Sequence, residues 1–359
     1  MKAAVLREKE NLVVEDVPKP PLGREEVMLR VTDCGICGSD IRYFHGENPW
    51  AQHTLGEMRT NPPNIIPGHE VVGVVDEVGE DADKSLLGRR VAVLSFKVDE
   101  TCYWCRRGER HLCPNTQHMG HGAGWGDQEY YYGGMAEYVP VWASHVFALP
   151  DHVPSADATL LDALGVAVHA VELSKPIAGE SALVIGTGVI GLLAVQTLKA
   201  YGATTIMCAD LDERHLEKGS KLGADRTINV RAQDLREVVR ETTEGVGARV
   251  IIDTVGRTLE ETLPILARGG RLIQLAVHDR QEQYNALLAA GERMVMTSAN
   301  FRYEEYPIAM ELLYSGRIQA EPLITHRFPI DQAVEAFSVA DHKESSGAIK
   351  VIINPTQDD

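Results

Sequence analysis

Residues 183–191 read LVIGTGVIG, a buried apolar run that ends in Gly186, Gly188 and Gly191. This is the spacing a strand needs to turn sharply into a helix beneath a pyrophosphate. The first glycine permits the tight turn, the second lets phosphates approach the backbone, and the third allows close helix–strand packing. Val189 and Ile190 lie between the last two, where the free N–H groups of a helix N-terminus favour an anion. A glycine-rich βα turn without a ligand carries the same letters, so the surroundings decide. The next apolar run, TTIMCAD, ends at Asp210, 19 residues past Gly191. A carboxylate there can bind both adenosine ribose hydroxyls and repel a 2′-phosphate, which points to NAD. Arg214 keeps NADP open, because a nearby guanidinium can hold a phosphate.

The texture on either side gives the domain plan. ALVIG, TTIMCAD, ARVIIDTVG, GGRLIQLAV and MVMTSA read as buried strands. They alternate with helix-period segments such as VIGLLAVQTLKAYGA and DERHLEKGSKLGA, each closed near a glycine. This alternation predicts an α/β, doubly wound parallel-sheet domain over 156–299. Residues 1–155 instead hold short β-type runs, VMLRVTD, VVGVVDEV and RRVAVLS, between loops of Pro, Gly and Asn. After 300 come a helix, YPIAMELLYSG, and short strands ending in GAIKVIINP. That 300–359 tail is expected to rejoin the first domain.

Bulk composition excludes several classes. The 359 residues suffice for two domains with separate cores, and 24% charged with 44% hydrophobic residues is a globular balance. A net charge of −17 lacks the basic footprint of nucleic-acid or anionic-membrane partners, although adaptation to salt would leave the same sign. The N-terminal MKAAVLREKENLVVED has no signal-peptide core, and no apolar run reaches the ~18–20 residues of a membrane span. Five of the six cysteines fall in two clusters, which suggests metal ligands in a reducing, cytoplasmic compartment rather than disulfides.

Two further stretches bring chemistry. GICGSD at 35–40 offers the thiol Cys37 and the hydroxyl Ser39, and PGHEVVGVVDEVG at 67–79 offers His69 followed by Glu70. Thiolate, imidazole and carboxylate are the donors of a catalytic zinc that keeps one position open. A packed cysteine and a hydrogen-bonded core histidine are the bland readings of Cys37 and His69 taken singly. A metal beside a nicotinamide points to alcohol oxidation.

Taken together, GICGSD, GHEVVGVVDEVGEDA and GTGVIG resemble the zinc-dependent medium-chain alcohol dehydrogenases over essentially the whole chain. LLDALGVAVHAVE at 160–172, NFRYEEYPIAMELLYSGRI and PLITHRFPIDQAVEAF resemble the sorbitol, polyol and threonine dehydrogenase branch. The resemblance implies a GroES-like β-rich catalytic domain and a Rossmann domain, with the active site in the cleft between them. It implies Cys37 and His69 as ligands of a catalytic zinc, Glu70 as an outer or alternating ligand, and Ser39 as the proton outlet. Asp162 falls where that branch carries a third ligand, usually glutamate; a helix N-cap aspartate is the alternative. Cofactor contacts are implied at Val277, Phe301 and Arg302 as well. Cys34 is read as packing.

Asp99, Cys102, Cys105 and Cys113, within DETCYWCRRGERHLC, match the family's structural-zinc lobe, except that the first position is aspartate. Oxygen is an acceptable zinc ligand, so two zinc ions per chain are expected, one catalytic and one structural. A lobe that has lost its metal would leave three oxidisable thiols. Where many relatives have a relay histidine this chain has Arg42, which cannot shuttle a proton but could anchor an anionic substrate. His45 is a candidate relay, and Phe44, Trp50 and Trp125 are candidate pocket walls. The expectation is oxidation of a secondary alcohol, in a polyol, sugar or cyclitol, with hydride transfer to NAD. A threonine-type amino-acid dehydrogenase and a non-catalytic binding member are the alternatives. A small-molecule alcohol is the expected partner, and a homodimer or homotetramer the expected assembly.

Overall fold

The structure, a computed structural model, describes residues 1–276, 278 and 280–356. These fall into two compact units, 1–162 with 320–356, and the described residues of 163–319. Both divisions lie later in the chain than the 155/156 and 299/300 boundaries read from the sequence. Packing explains the second. His169 Nδ1 meets Glu305 Oε2 at 2.9 Å, and Gln196 and Gln319 exchange hydrogen bonds of 3.2 and 2.8 Å. A Cβ on Gly165 would sit 3.0 Å from the Phe301 ring. Residues 300–319 therefore belong with the second unit.

That second unit is the doubly wound sheet. Its six strands run in the order Arg226–Asn229, Thr205–Asp210, Ser181–Ile185, Ala248–Asp253, Leu266–Gln274 and Met294–Thr297, every pair parallel. The central strands are buried on both faces, so they read as unbroken apolar runs. Ser181–Ile185 lies between Thr205–Asp210 and Ala248–Asp253, where the strand order reverses. Open α/β sheets bind ligands beyond the carboxyl ends of strands at such a switch point. The glycine turn leaves this strand there and enters helix Val189–Ala200.

In the first unit a seven-stranded sheet is organised around Glu26–Gly35, which pairs with Glu70–Val78, Tyr138–Trp142 and Lys350–Asn354. Register shifts at Met28/Leu29 and Val31/Asp33 let this strand bend between partners. Tyr138–Trp142 takes its first half, and Lys350–Asn354 pairs only at Cys34 and Gly35. The last strand of the chain is thereby delivered to the end that leads into Cys37. Val27, Leu29, Val31, Val71, Val75 and Ile353 fill the core behind it. Among the described residues no helix is long and apolar enough to cross a membrane.

Candidate active site and metal centres

Helix Gly38–Phe44 begins just past strand Glu26–Gly35, with Cys37 as its N-cap in extended backbone geometry. The Cys37 N–H donates to Asp40 Oδ2 at 2.8 Å. The other oxygen of Asp40 accepts from the Gly68 N–H at 3.3 Å and lies 3.6 Å from His69 Nδ1. One fully buried carboxylate thus fixes both loops that supply the site. Gly68 has φ +98°, and a Cβ there would run into Cys34 Sγ, so only glycine fits. Cys34 is itself fully buried, a packing residue as read from the sequence.

The opposite edge of the His69 ring faces the reaction side: Nε2 lies 3.4 Å from Ser39 Oγ. Burial alone would depress the imidazole, but the Asp40 carboxylate and the Cys37 sulfur hold it well above its ordinary value. Nδ1 is buried and makes no hydrogen bond of good geometry, with Asp40 Oδ1 3.6 Å away. A histidine that gives one nitrogen to a metal and turns the other toward a carboxylate is the usual design of a zinc ligand. The residues fit the metal.

Glu70 is placed differently from the expectation. It pairs with Gly35 across the sheet, and a Cβ on Gly35 would overlap its carboxylate. Through that opening both oxygens reach Lys350, at 2.7 Å for Oε1 and closer for Oε2, and Lys350 also donates to Ile36 O at 3.2 Å. Both side chains are essentially inaccessible. Burial pushes the ammonium down, yet Glu70 and Cys37 hold it above its ordinary value. Glu70 is committed to an ion pair rather than free to ligate metal. Lys350 escaped the sequence reading; its signal was a lone cation inside the apolar run GAIKVIINP.

Asp162 stands at the start of helix Leu161–Leu173. Its Oδ1 accepts from Ser95 Oγ at 2.9 Å. Burial raises its pKa most strongly, His69 opposes that rise, and Glu70 adds to it. The donor set of thiol, imidazole and half-buried carboxylate therefore shares one electrostatic neighbourhood. Its ligand atoms are not gathered as tightly as those of the lobe. Among the described residues, only Asp99, Cys102, Cys105 and Cys113 form such a cluster with all ligand atoms within 4.8 Å of one another.

In that lobe Asp99 Oδ1 accepts from the Thr101 and Cys102 N–H groups, both at 2.9 Å, and Oδ2 from Asn115 Nδ2 at 2.6 Å. The Asn115 amide and these N–H groups hold the Asp99 carboxyl far below its usual range. Cys102 caps helix Tyr103–Arg106, and its Sγ lies 3.8 Å from Cys113 Sγ. Burial and thiol neighbours push Cys105 well above its ordinary value, and burial raises Cys113. Crowded thiols resist ionising unless a cation joins them, and a zinc ion supplies that charge. All six cysteines are free.

The remaining expected pocket residues are occupied elsewhere. Arg42 donates to Glu47 at 2.8 Å, to Gln52, and meets His53 Nε2 at 3.3 Å, so its donors are spent on neighbours rather than on a substrate anion. His45 is held between Asp341 at 2.9 Å and Glu10 at 3.3 Å, which removes it from a relay through Ser39. Phe44 packs on Phe337, Trp125 stacks on Trp142, and Arg59 lies over Trp50. Two histidines that the sequence reading passed over do adjoin the site: His118 and His121, with ring centroids 5.2 and 6.0 Å from His69.

The dinucleotide turn keeps its geometry. Gly186 has φ +89°, and a Cβ there would crowd Thr254 and Val255. On Gly191 a Cβ would strike Gly186 O, whereas on Gly188 it would meet nothing within 4 Å. The open space over Gly188, beside the amides of Val189 and Ile190, is a cradle a phosphate can enter. Asp210 Oδ2 accepts from Thr187 N at 2.6 Å and Thr187 Oγ1 at 2.8 Å, and Oδ1 from Leu211 N and Asp212 N at 2.7 and 3.0 Å. Arg214 is clamped on Asp212 at 2.5–3.1 Å and pulls that carboxyl down to about 2. Phe301 is a core side chain, 1% exposed and stacked on Tyr306, so its ring is unavailable to a cofactor. Arg302 is exposed and its N–H donates to Glu305 at 2.6 Å. Val277 lies outside the described residues.

A β-rich unit with cysteine–histidine–carboxylate donors, and a doubly wound unit with a phosphate-binding turn, define a metal- and nucleotide-dependent oxidoreductase. Residues 23–151 match the alcohol dehydrogenase GroES-like domain family, and 189–315 the zinc-binding dehydrogenase family. The chain is 30% identical over 360 residues to sorbitol dehydrogenase of Bacillus subtilis strain 168, covering 99% of this chain and 98% of that protein. It is 34% identical over 335 residues to L-threonine 3-dehydrogenase of Pyrococcus abyssi, covering 92% and 91%. Among solved structures, a protein of Sinorhizobium meliloti 1021 bound to NADP superposes with TM-score 0.88 at 26% identity, covering 99% of both chains. An alcohol dehydrogenase of E. coli CFT073 complexed with NADH superposes with TM-score 0.87 at 26% identity, again covering 99% of both. The chain belongs to the zinc-dependent medium-chain alcohol dehydrogenases, oxidoreductases that use zinc and a nicotinamide cofactor.

Proposed function

We propose that the protein oxidises a secondary alcohol of a polyol, sugar or cyclitol to the ketone, with NAD as hydride acceptor. The observation that carries the reading is Asp162, a half-buried carboxylate at the start of helix Leu161–Leu173 whose Oδ1 accepts from Ser95 Oγ at 2.9 Å. With Glu70 given to Lys350, Asp162 is the carboxylate left to complete a set with Cys37 and His69. Cys37, His69 and Asp162 would hold a zinc ion, which would supply the Lewis acidity that makes a substrate hydroxyl acidic near neutral pH. Ser39 Oγ accepts the hydroxyl proton as it releases its own toward solvent. Asp40 keeps the His69 ring oriented throughout. A vicinal hydroxyl adds orientation at such a site, which favours polyols over monoalcohols.

NAD, rather than NADP, is supported by Asp210, and by the engagement of Arg214 with Asp212. Four donors already fill the Asp210 acceptor directions. The Thr187 hydroxyl is the one free to rotate away for a ribose hydroxyl. The Asp99, Cys102, Cys105 and Cys113 cluster supports a second, structural zinc. Three free thiols in that lobe suit a cytoplasmic setting, and we expect a homodimer or homotetramer. The 34% identity to a threonine dehydrogenase keeps L-threonine as the second reading.

The test is a panel of sugar alcohols, cyclitols, vicinal diols, L-threonine and matched monoalcohols, followed by NADH formation. A polyol or diol should lead. A clear lead for L-threonine would favour the second reading, and preference for simple primary alcohols would overturn both.

A further inference from the structure

We propose that the second unit carries an anion site apart from its cofactor turn, a cavity at the amino ends of three strands that binds adjacent phosphates. The inference does not depend on which alcohol is oxidised. The cavity, of about 910 Å³, is lined by three arginines, Arg249, Arg268 and Arg293, with Gly269, Gly291 and one carboxylate, Glu292. All of them belong to the second unit.

Strand register explains how the arginines meet. Ala248–Asp253, Leu266–Gln274 and Met294–Thr297 are parallel neighbours, and the three arginines fall at or just before their first residues. Ala248 pairs with Leu266 and Val250 with Arg271, so residues 267–270, ARGG, stand opposite Arg249 alone and loop out. Gly269 has φ +64° and Gly291 φ +86°. A Cβ on Gly269 would sit 3.2 Å from Arg249 Nη1, and one on Gly291 2.8 Å from Arg268 Nε. These two glycines therefore make the turns and also leave room for guanidiniums to lie across them. The dinucleotide turn leaves the opposite, carboxyl end of the same sheet. Cavity and cofactor turn are a strand length apart, roughly 15 Å.

Charge gives the ligand. Arg249 donates from Nε to Glu180 Oε2 at 2.7 Å and from Nη1 to Arg268 O at 2.5 Å. Arg293 donates to carbonyls, Leu266 O at 2.8 Å and Ala290 O. A carbonyl fixes a guanidinium without cancelling its charge. Among the described residues Arg268 spends none of its five N–H donors on protein, and Glu292 makes no ion pair. Arg271, 4% exposed, donates to Pro176 O at 2.8 Å and lies 3.8 Å from the same Glu180, with its buried Nε unpartnered. Four guanidiniums thus depend on Glu180 alone for a paired carboxylate, in a chain of 52 acidic and 35 basic residues. Like charges gathered in this way repel, and an anion relieves the repulsion. Planar guanidinium forks take phosphate oxygens in pairs. Three forks around one cavity exceed what a single phosphate spans, which selects a diphosphate or a longer chain. No aromatic side chain lines the cavity to stack a base, so the phosphates carry the recognition.

The experiment is calorimetric titration of the zinc-loaded protein, saturated with NADH and held at constant ionic strength. Inorganic pyrophosphate is the probe in one arm and ADP in the other. Saturable binding of pyrophosphate is expected, weakened roughly tenfold or more in Arg268→Glu. Arg268→Gln, which removes only the charge, should weaken it too and carries the test should Arg268→Glu not fold. Arg317→Glu, at an exposed arginine of the same unit, makes an equal change of net charge and should stay within about twofold of the unmodified protein. ADP no tighter than pyrophosphate would identify free phosphate chains as the ligand, and ADP markedly tighter would identify a nucleotide. Absence of saturable binding would overturn the proposal. Unchanged binding in the Arg268 variants would also overturn it, by placing the anion in the glycine turn or on zinc. Equal weakening in Arg317→Glu would do the same, by reducing the effect to net charge.

Discussion

At Asp40 one carboxylate accepts from the N–H groups of Cys37 and Gly68 and faces His69 Nδ1. Removing it frees two loops and the ring orientation together. Asp40→Ala should weaken catalytic zinc roughly 10–100-fold, measured by competition with a chelator. Unchanged affinity would mean that the loops hold themselves. Lys350→Met poses the complementary question, since it strands Glu70 buried and unpaired. Urea titration should show a loss of about 3–5 kcal/mol, recovered in large part by adding Glu70→Gln. His45 supplies a pH test. Asp341 raises its pKa against a small burial penalty, with Glu10 assisting. A raised folded pKa stabilises below the unfolded value, near 6.5, and the contribution fades as pH climbs through the folded value. His45→Gln should therefore cost stability at about pH 5 and nothing at about pH 9, with the exposed pair limiting the loss to about 1 kcal/mol or less. Asp210→Ala should cost roughly 1–3 kcal/mol of NAD affinity and narrow the preference over NADP. Comparable kcat/KM for both cofactors in the unmodified enzyme would contradict that assignment.

Elements were legible where composition and period agree. Strand Ser181–Ile185, the Gly186–Gly191 turn and helix Val189–Ala200 lie where LVIGTGVIG places them, because tight turn and close packing each demand a glycine at a set position. The carboxylate of the lobe was legible too, since Asp99 keeps the spacing of a ligand to three cysteines. Less legible were contacts made across long sequence distances. Lys350 reaches Glu70 only because two strands meet at Gly35 and Cys34, a register no local pattern announces. His118 enters on a two-residue strand and His121 on the turn just after it, both too short for periodicity to detect. Phe301 looked available for a cofactor, but Gly165 leaves a space that the ring fills. The lobe gives its own prediction. Asp99→Ala should lower the thermal midpoint while folded enzyme keeps its turnover, and an unshifted midpoint would mean that Asp99 holds no metal.

At the scale of the whole chain, the second unit ends a sheet on Met294–Thr297, where Met294 and Val295 are exposed on an edge that pairs with no further strand among the described residues. Such edges are commonly covered, and light scattering should report a dimer or tetramer at micromolar concentration rather than a monomer. The central claim, a catalytic zinc on Cys37, His69 and Asp162 beside an independent structural zinc, is tested most directly by metal stoichiometry with turnover in two variants. Asp162→Ala should fall from two zinc ions per chain to one, lose turnover and still bind NADH. Asp99→Ala should also fall to one, yet keep turnover while folded. An Asp162→Ala protein that retains both zinc ions and a near-normal rate would contradict the account.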